Sequence, residues 1–284
     1  MNKAFIILFS LSLCVLLTGC WLFEGDADID AIVKKGDYKL CDDLNTTDNP
    51  TRIDKCYEAV AEKTADYEIC AKIKDPNYRD KCYGGIAVKK NDEKLCESVM
   101  NTIPKQECFT RVAISKKDKA LCTKLTDKES KDRCFMEFAK SSNDATICRQ
   151  DIVSPDFKDS CLWYVAQNTK NEALCKEISG LVSRDGCYYE VALKTDGNLL
   201  CAKIVDKARH DECFTSFAAS RKDITQCKSI ELKSYMWYDC IRRTAVAMKD
   251  KSVCKYNILE DKEQLKSCEL QVNNAVAKDK ASSN

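Results

Sequence analysis

Apolar residues recur in a constant order around the cysteines of this chain, from Cys41 to Cys268. A leucine or isoleucine usually stands just before the first cysteine of each repeat, and another apolar residue usually follows three positions after that cysteine. A large apolar residue usually follows the second cysteine, and smaller ones return four and five positions after it, as in Val165-Ala166. Because positions one, four and five share a helical face, the pattern predicts two short amphipathic helices in each repeat.

The repeat is regular in length. The interval from the second cysteine of one repeat to the first cysteine of the next is the same throughout, as from Cys56 to Cys70, whereas the interval within a repeat varies slightly. The resulting period lies within the range of roughly 20–50 residues that is typical of repeat architectures, and residues 37–275 hold nine repeats. A helical hairpin of this size cannot bury its apolar face alone, whereas stacked hairpins can. The sequence predicts an all-α fold, a right-handed α/α solenoid of nine short helical hairpins.

Residues that favour helix starts support this division. An aspartate or asparagine, whose side chain accepts hydrogen bonds from the first helical turn, stands four residues before the first cysteine of eight repeats. These residues are Asp37, Asp66, Asp92, Asp118, Asp144, Asn171, Asp223 and Asp250. All four prolines lie between the two helices of a repeat, where proline favours the first helical position.

The two ends of the repeat region depart from the pattern. Residues 28–35 match the second helix of a repeat without its cysteine, so we interpret residues 20–36 as a linker and an N-terminal capping half-repeat. In the last repeat, Glu269 and Asn273 replace the usual large apolar residue and alanine, as expected of a polar cap. We expect residues 276–284 to form a disordered tail.

The N-terminus has the composition of an export signal. A lysine, an apolar run from Ala4 to Leu17 and the small residues that follow this run indicate a signal peptide over residues 1–19. The stretch Leu17-Thr18-Gly19-Cys20 resembles the lipobox of prokaryotic lipoproteins. That resemblance implies cleavage before Cys20, a diacylglyceryl group on its sulfur with acyl chains such as palmitate, and a place on the extracytoplasmic side of a cell membrane or outer envelope. The alternative is an uncleaved helix over Ala4–Phe23, which is long enough to span a bilayer.

The cysteine count indicates disulfides. Of the 20 cysteines, 18 remain after Cys14 and Cys20 are set aside, an even number in a chain expected in an oxidising compartment. Pairing within repeats uses all 18, whereas pairing between repeats leaves Cys41 and Cys268 alone. The axial offset is roughly 3 Å within a repeat and roughly 6 Å between repeats, so the first pairing is favoured. It joins Cys41–Cys56, Cys70–Cys82, Cys96–Cys108, Cys122–Cys134, Cys148–Cys161, Cys175–Cys187, Cys201–Cys213, Cys227–Cys240 and Cys254–Cys268.

Charge and motifs narrow the chemistry. Lys+Arg number 46 and Asp+Glu 45, so we expect no nucleic-acid partner. No C-x2-C motif is present, and we expect neither a metal nor a cofactor. The single histidine, His210, stands where other repeats carry Arg or Lys, which indicates a surface position rather than a general base. We therefore expect no catalytic residues and no enzyme activity.

One row of side chains is a candidate binding patch. The residue two positions after the second cysteine should point away from the core, and in most repeats it is polar or small. In three consecutive repeats it is Met136, Trp163 and Tyr189, with Tyr164 adjoining. An exposed row of large apolar residues marks a binding surface. The alternative is that the row is buried against a neighbouring helix.

The whole mature chain resembles in plan the cysteine-rich Sel1-like proteins, which also have disulfide-bridged helical hairpins. Their repeats are longer, and their alanine and glycine consensus is missing here. The resemblance implies an α/α solenoid with an interaction role. We therefore expect a monomeric, lipid-anchored scaffold at the cell surface that binds a protein or glycan. The alternatives are an envelope enzyme, with a deep pocket of converging carboxylates near His210, and a structural spacer.

Overall fold

The structure, a computed structural model, describes residues 26–47, 49–195, 197–256 and 261–282. The expected signal peptide, the expected lipidation site Cys20 and the alternative anchor over Ala4–Phe23 lie outside the described residues. The chain divides into two compact units, which we call the N-terminal and C-terminal units, with the boundary between Leu125 and Thr126. The described elements are all helical, which confirms the predicted all-α repeat fold.

Long and short helices alternate along the described part of the chain. The long helices are α1 (Ala27–Lys35), α2 (Arg52–Thr64), α3 (Pro76–Lys90), α4 (Thr102–Lys116), α5 (Lys128–Ser142), α6 (Pro155–Thr169), α7 (Leu181–Lys194), α8 (Lys207–Arg221), α9 (Tyr235–Met248) and α10 (Lys262–Ser282). The short helices are Tyr38–Asp43, Tyr67–Lys72, Lys94–Glu97, Lys119–Lys124, Ala145–Gln150, Glu172–Glu177, Asn198–Cys201, Ile224–Ser229 and Lys251–Lys255. Each hairpin therefore consists of one short helix followed by one long helix.

The first helix of a hairpin is shorter than the sequence pattern suggested. Six of these short helices are 3-10 helices of five or six residues, and the other three are α-helices of four to six residues. The predicted cap is present: the carboxylate of Asp66, for example, accepts a hydrogen bond from the backbone N–H of Glu68 at 3.0 Å. The backbone becomes extended three residues after the cysteine, as at Ile73, whose side chain is buried.

The constant interval between hairpins, as from Cys56 to Cys70, has a structural cause. A long helix typically ends with one residue in the left-handed conformation, such as Ala65 or Lys222, and the capping residue of the next short helix follows at once. The N–H of that capping residue donates to the carbonyl of the alanine five positions after the cysteine, as from Asp66 to Ala61 at 3.1 Å. The same bond is found in seven corners, so no loop residue is left to vary.

Disulfides lie at the centre of each hairpin. Eight join the cysteines predicted to pair within a repeat, with Cα atoms 5.5 to 5.8 Å apart, and Cys122 and Cys134 are also disulfide-bonded. The bridged cysteines are 0 to 2% exposed. Around them lie the predicted apolar positions, such as Val165 and Ala166, which are both fully buried. Consecutive long helices contact one another from α1 to α4 and from α5 to α10, where the small alanines allow close approach.

Both ends of the repeat region are helical. Helix α1 buries Ile29 and Ile32 against the first hairpin, as expected of a capping half-repeat, and Asp28 accepts from Arg52 at 2.9 Å. At the other end, α10 continues to Ser282, so residues 276–282, expected to be disordered, are helical instead. The reason is packing, because Val276 lies against the last apolar cluster and Asp279 pairs with Lys249 of α9.

Candidate binding face of the C-terminal unit

Buried aspartates connect successive hairpins. An aspartate stands two residues before the second cysteine in six repeats: Asp54, Asp80, Asp132, Asp159, Asp185 and Asp211, all 0 to 7% exposed. In the first five, the carboxylate accepts hydrogen bonds from two adjacent backbone N–H groups just before the next long helix. Asp132, for example, accepts from Val153 at 3.0 Å and from Ser154 at 2.8 Å. Each of these five aspartates therefore connects its own hairpin to the next one along the chain.

Two of these aspartates hold the backbone of residues in a row of exposed apolar side chains. In the C-terminal unit, large apolar side chains are exposed between or at the ends of the short and long helices of four consecutive hairpins. This apolar edge consists of Val153, Leu181, Val182, Val205, Leu232 and Tyr235, which are 45 to 78% exposed. The N–H of Val153 and that of Val205 are bound by buried carboxylates, so their backbone is ordered although their side chains face solvent. A row of this kind marks an interaction surface.

The predicted row of large residues is only partly at the surface. Met136 is 8% exposed, so it belongs to the core and not to a patch. The expectation that this position points away from the core was wrong, because consecutive long helices pack side by side there; Thr215, at the same position, is fully buried. Trp163 and Tyr189 are half-buried and lie together in one cleft. Tyr164 is 43% exposed outside that cleft, with the Lys140 ammonium 4.4 Å from its ring centre.

The Trp163 cleft, as we call it, has a volume of about 440 Å³. Its lining residues are Trp163, Gly186, Tyr189, Glu190, Asp206, Ala208, Arg209 and Glu212, from helices α6, α7 and α8 and the cap of α8. A glycine at 186 is needed for the close approach, since a Cβ there would lie 3.1 Å from the Trp163 ring and 3.0 Å from the Arg209 guanidinium. Arg209 donates to the carbonyl of Val182 at 2.8 Å, which connects the cleft to the apolar edge.

One wall of the cleft is an ordered polar network. The Tyr189 hydroxyl lies 3.2 Å from Ser216 Oγ, which donates to Glu212 Oε1 at 2.8 Å. Arg243 donates to both oxygens of Glu212 at 2.8 and 2.9 Å. Burial alone would lower the pKa of Arg243, but the bond to Glu212 outweighs it and raises that pKa. Glu190, in contrast, has no hydrogen bond or ion pair within the described part of the chain.

His210 lies outside this cleft. Its Nδ1 is 2.9 Å from Asp211 Oδ1, and its ring packs edge-on against Phe214 with the ring centres 5.0 Å apart. Lys207 also approaches Asp211, at 3.2 Å. The imidazole is thus one of two side chains that contact the buried carboxylate of Asp211.

The N-terminal unit has a second groove, of about 510 Å³, lined in part by Gly84 and Gly85. Beside it, Glu58 is 5% exposed and its carboxylate lies 2.6 Å from the ammonium of Lys81. Burial raises the pKa of Glu58 more than this pairing lowers it. No aromatic side chain lines the groove, so it lacks the stacking surface of the Trp163 cleft.

The buried carboxylate of Asp159 predicts acid sensitivity. Burial alone would raise the pKa of Asp159, but hydrogen bonds from Ser179 and Gly180 lower it below its usual value of 3.8. A carboxyl group with a lowered pKa contributes stability that is present above the unfolded-state pKa and is lost as the pH falls through the folded-state pKa. We therefore expect the melting temperature to fall below about pH 4, the region of the unfolded-state pKa of aspartate.

Thermal melts followed by circular dichroism from pH 7 to pH 2 would test this expectation. The variant Asp159→Asn should have a lower melting temperature at pH 7 and a smaller acid dependence than the parent. A melting temperature that stays constant down to pH 2 in the parent would contradict the expected role of the carboxylates.

Within the described residues, no three His, Cys, Asp or Glu side chains cluster in a way that could hold a metal ion. None of the described helices combines the length and apolarity that a membrane span requires. A scan against protein-family models found no match, and searches of curated proteins and of solved structures found no similar protein. The fold and the surface of the C-terminal unit define a disulfide-bridged α-helical repeat protein with an exposed apolar edge.

Sequence inspection missed the two features that build this face. The signal for the buried aspartates was the recurrence of Asp two residues before the second cysteine. The signal for the apolar edge was an apolar residue eight positions before that cysteine, as at Val153, Val205 and Leu232. Both positions belong to a stretch that varies in length between repeats, so they do not align when the repeats are aligned on their first cysteines.

Proposed function

We propose that the chain is an exported interaction scaffold, tethered through Cys20, that binds a partner protein through the apolar edge and the adjoining Trp163 cleft. The observation that carries this proposal is the exposure of large apolar side chains near the start of the long helix in four consecutive hairpins. A chain that served only as a spacer would have no need of this edge, because exposed apolar surface promotes association. Mass spectrometry of the mature N-terminus tests the tether: an acylated Cys20 supports it, and an intact Met1 supports the uncleaved helix over Ala4–Phe23.

A partner protein fits the face better than a glycan does. Valine and leucine side chains such as Val182, Val205 and Leu232 find apolar partners in a protein, whereas a glycan presents mainly hydroxyl groups. The Trp163 cleft favours a glycan as the second candidate, because it combines two aromatic rings with carboxylates and a guanidinium. The two candidates therefore depend on different residues, which allows them to be separated by substitution.

The double variant Val182→Asp with Val205→Asp is expected to abolish protein binding. Each aspartate places a charge in the centre of the interface, and central contacts cost about 2 kcal/mol or more, roughly 30-fold in affinity. The measurement is binding of the mature chain to displayed peptide libraries and, in parallel, to a glycan array. Leu199→Asp is the matched control, because Leu199 is 76% exposed in the same unit but lies outside the apolar edge.

Three outcomes separate the candidate functions. Peptide binding that the double variant loses and the Leu199→Asp control keeps supports the proposal. Glycan binding that depends on Trp163 and survives the double substitution supports the second candidate instead. Failure to bind either class would leave the spacer as the best account of the chain.

A further inference from the structure

We infer that Asn45 is an acceptor for N-linked glycosylation, a covalent modification of the loop between the short helix Tyr38–Asp43 and α2. The inference goes beyond the proposed binding function and shares with it only the export of the chain. It draws on three observations: the sequence Asn45-Thr46-Thr47, the position of this sequence in an extended loop, and the hydrogen bonds of the Asn45 side chain.

The sequence Asn45-Thr46-Thr47 is an N-x-S/T acceptor motif, in which the middle residue is not proline. It occurs once in the chain, because the similar stretch Asn49-Pro50-Thr51 has a proline in the middle. In an exported protein the motif indicates a surface loop that carries a glycan. Because the motif is short, its place in the fold and its geometry decide whether it is used.

The motif lies in the hairpin with the longest loop. Cys41 and Cys56 are 15 positions apart, whereas the two cysteines of every other hairpin are 12 to 14 positions apart. The side chains of Asn45 and Thr47 are exposed, and the guanidinium of Arg52 donates to the carbonyl oxygen of Asn45 at 2.8 Å. Extra residues in one repeat of an array are found in loops, which often have a function of their own. The first hairpin therefore presents the motif to solvent on an ordered backbone.

The side chain of Asn45 has the geometry that transfer of a glycan needs. Its Oδ1 accepts hydrogen bonds from the backbone N–H of Thr47 at 2.9 Å and from the hydroxyl of Thr47 at 2.6 Å. Its Nδ2 makes no hydrogen bond within the described part of the chain. An amide nitrogen is a weak nucleophile until it gives up a proton. Two donors on Oδ1 stabilise the negative charge that develops on that oxygen as the proton leaves.

The transfer has one co-reactant, a glycan joined through its anomeric carbon to the phosphate of a lipid carrier. A bond forms between Nδ2 of Asn45 and the anomeric carbon, and the bond between that carbon and the phosphate oxygen breaks. The phosphate leaves with the bonding electron pair, and the proton of Nδ2 passes to a base of the transferase. Asn45 is the substrate in this reaction, so the chain itself supplies no catalytic residue.

The same loop contains a matched control. The Oδ1 of Asn49 accepts from the backbone N–H of Thr51 at 3.0 Å and from the Thr51 hydroxyl at 2.8 Å, the same turn as at Asn45. Proline at the middle position, here Pro50, excludes glycosylation of this asparagine. We therefore expect Asn49 to stay unmodified.

The test is glycopeptide mass spectrometry of the full chain, purified from the membranes of a strain that carries an asparagine-specific oligosaccharyltransferase and its lipid-linked glycan. Trypsin releases a reduced peptide, Leu40–Arg52, that contains both asparagines, and fragmentation assigns the modified one. We expect the glycan on Asn45. The variants Asn45→Gln and Thr47→Val should lose the glycan, whereas Thr47→Ser and Asn49→Gln should keep it. Counting free thiols in each variant shows that the hairpins have formed.

Three other outcomes overturn the inference. An unmodified Asn45 in a chain whose repeat cysteines are all bridged would exclude the modification and leave the exported scaffold intact. An unmodified Asn45 in a chain with reduced repeat cysteines would contradict export, and the proposed function would fail with the inference. A glycan on Asn49, or one that Thr47→Val keeps, would show that the motif does not direct the modification.

Discussion

Full reduction of the disulfides is expected to abolish most of the helical structure of the chain. The short helices have four to six residues, far below the length at which an isolated helix is stable in water. Each hairpin buries few side chains of its own, and its cysteines lie at the centre of that small core. Each bridge closes a loop of 12 to 15 residues and contributes about 3 kcal/mol.

Far-UV circular dichroism with thiol counting would measure this effect. Because the cysteines are buried, reduction should be slow without denaturant and should follow local opening of the hairpins. The double variant Cys201→Ser with Cys213→Ser, which lacks one bridge, serves as an intermediate case. Its free energy of local unfolding should fall by about 3 kcal/mol in that hairpin. Helical content that persists when every thiol is free would show that apolar packing, not the bridges, maintains the fold.

The substitution Asp132→Asn is expected to destabilise the contact between two neighbouring hairpins by about 2–3 kcal/mol. The carboxylate accepts one hydrogen bond on each oxygen, from the backbone N–H of Val153 and of Ser154, and it is 1% exposed. An asparagine has one acceptor oxygen, so its amide group faces a buried N–H donor, which is left without an acceptor. The expected loss of about 2–3 kcal/mol combines two effects: one hydrogen bond to a charged group is lost, and one N–H donor is left unsatisfied.

Hydrogen exchange with mass spectrometry is the appropriate measurement, because a repeat protein opens locally. We expect faster exchange in peptides that contain residues 150–160, while peptides from α9 and α10 stay unchanged. Asp156→Asn is the matched control, since Asp156 is exposed in the same hairpin and makes no polar contact within the described residues. Equal protection in both variants would mean that Asp132 does not hold the two hairpins together.

The same substitution connects stability to the proposed binding face. Asp132 holds the backbone of Val153, and Asp185 holds that of Val205, so both apolar side chains stand on ordered segments. An ordered surface loses less conformational entropy on binding than a mobile one. We therefore regard the buried aspartates as part of the binding face although none of them lines the Trp163 cleft.

Much of the fold could be predicted from local pattern. The cysteine spacing predicted the hairpins and the pairing that eight bridges confirm, and the aspartate caps marked the short helices. Residues 276–282 were expected to be disordered because they have few apolar residues, but they are helical, since Val276 and Asp279 contact neighbouring elements. The row at Met136, Trp163 and Tyr189 was assigned to the surface from a single hairpin, without the neighbouring helix that buries part of it.

The sequence by itself determined the repeat and the helix caps, because these depend on residues within about one hairpin of each other. The tertiary structure decided which apolar residues are buried and which are exposed. Met136 is buried because α5 packs beside α6. Val182 is exposed just after a segment whose backbone N–H groups, at Ser179 and Gly180, are bound by the carboxylate of Asp159. That difference arises from contacts between successive hairpins. The periodicity of a single hairpin does not show which of its residues the neighbouring hairpin covers.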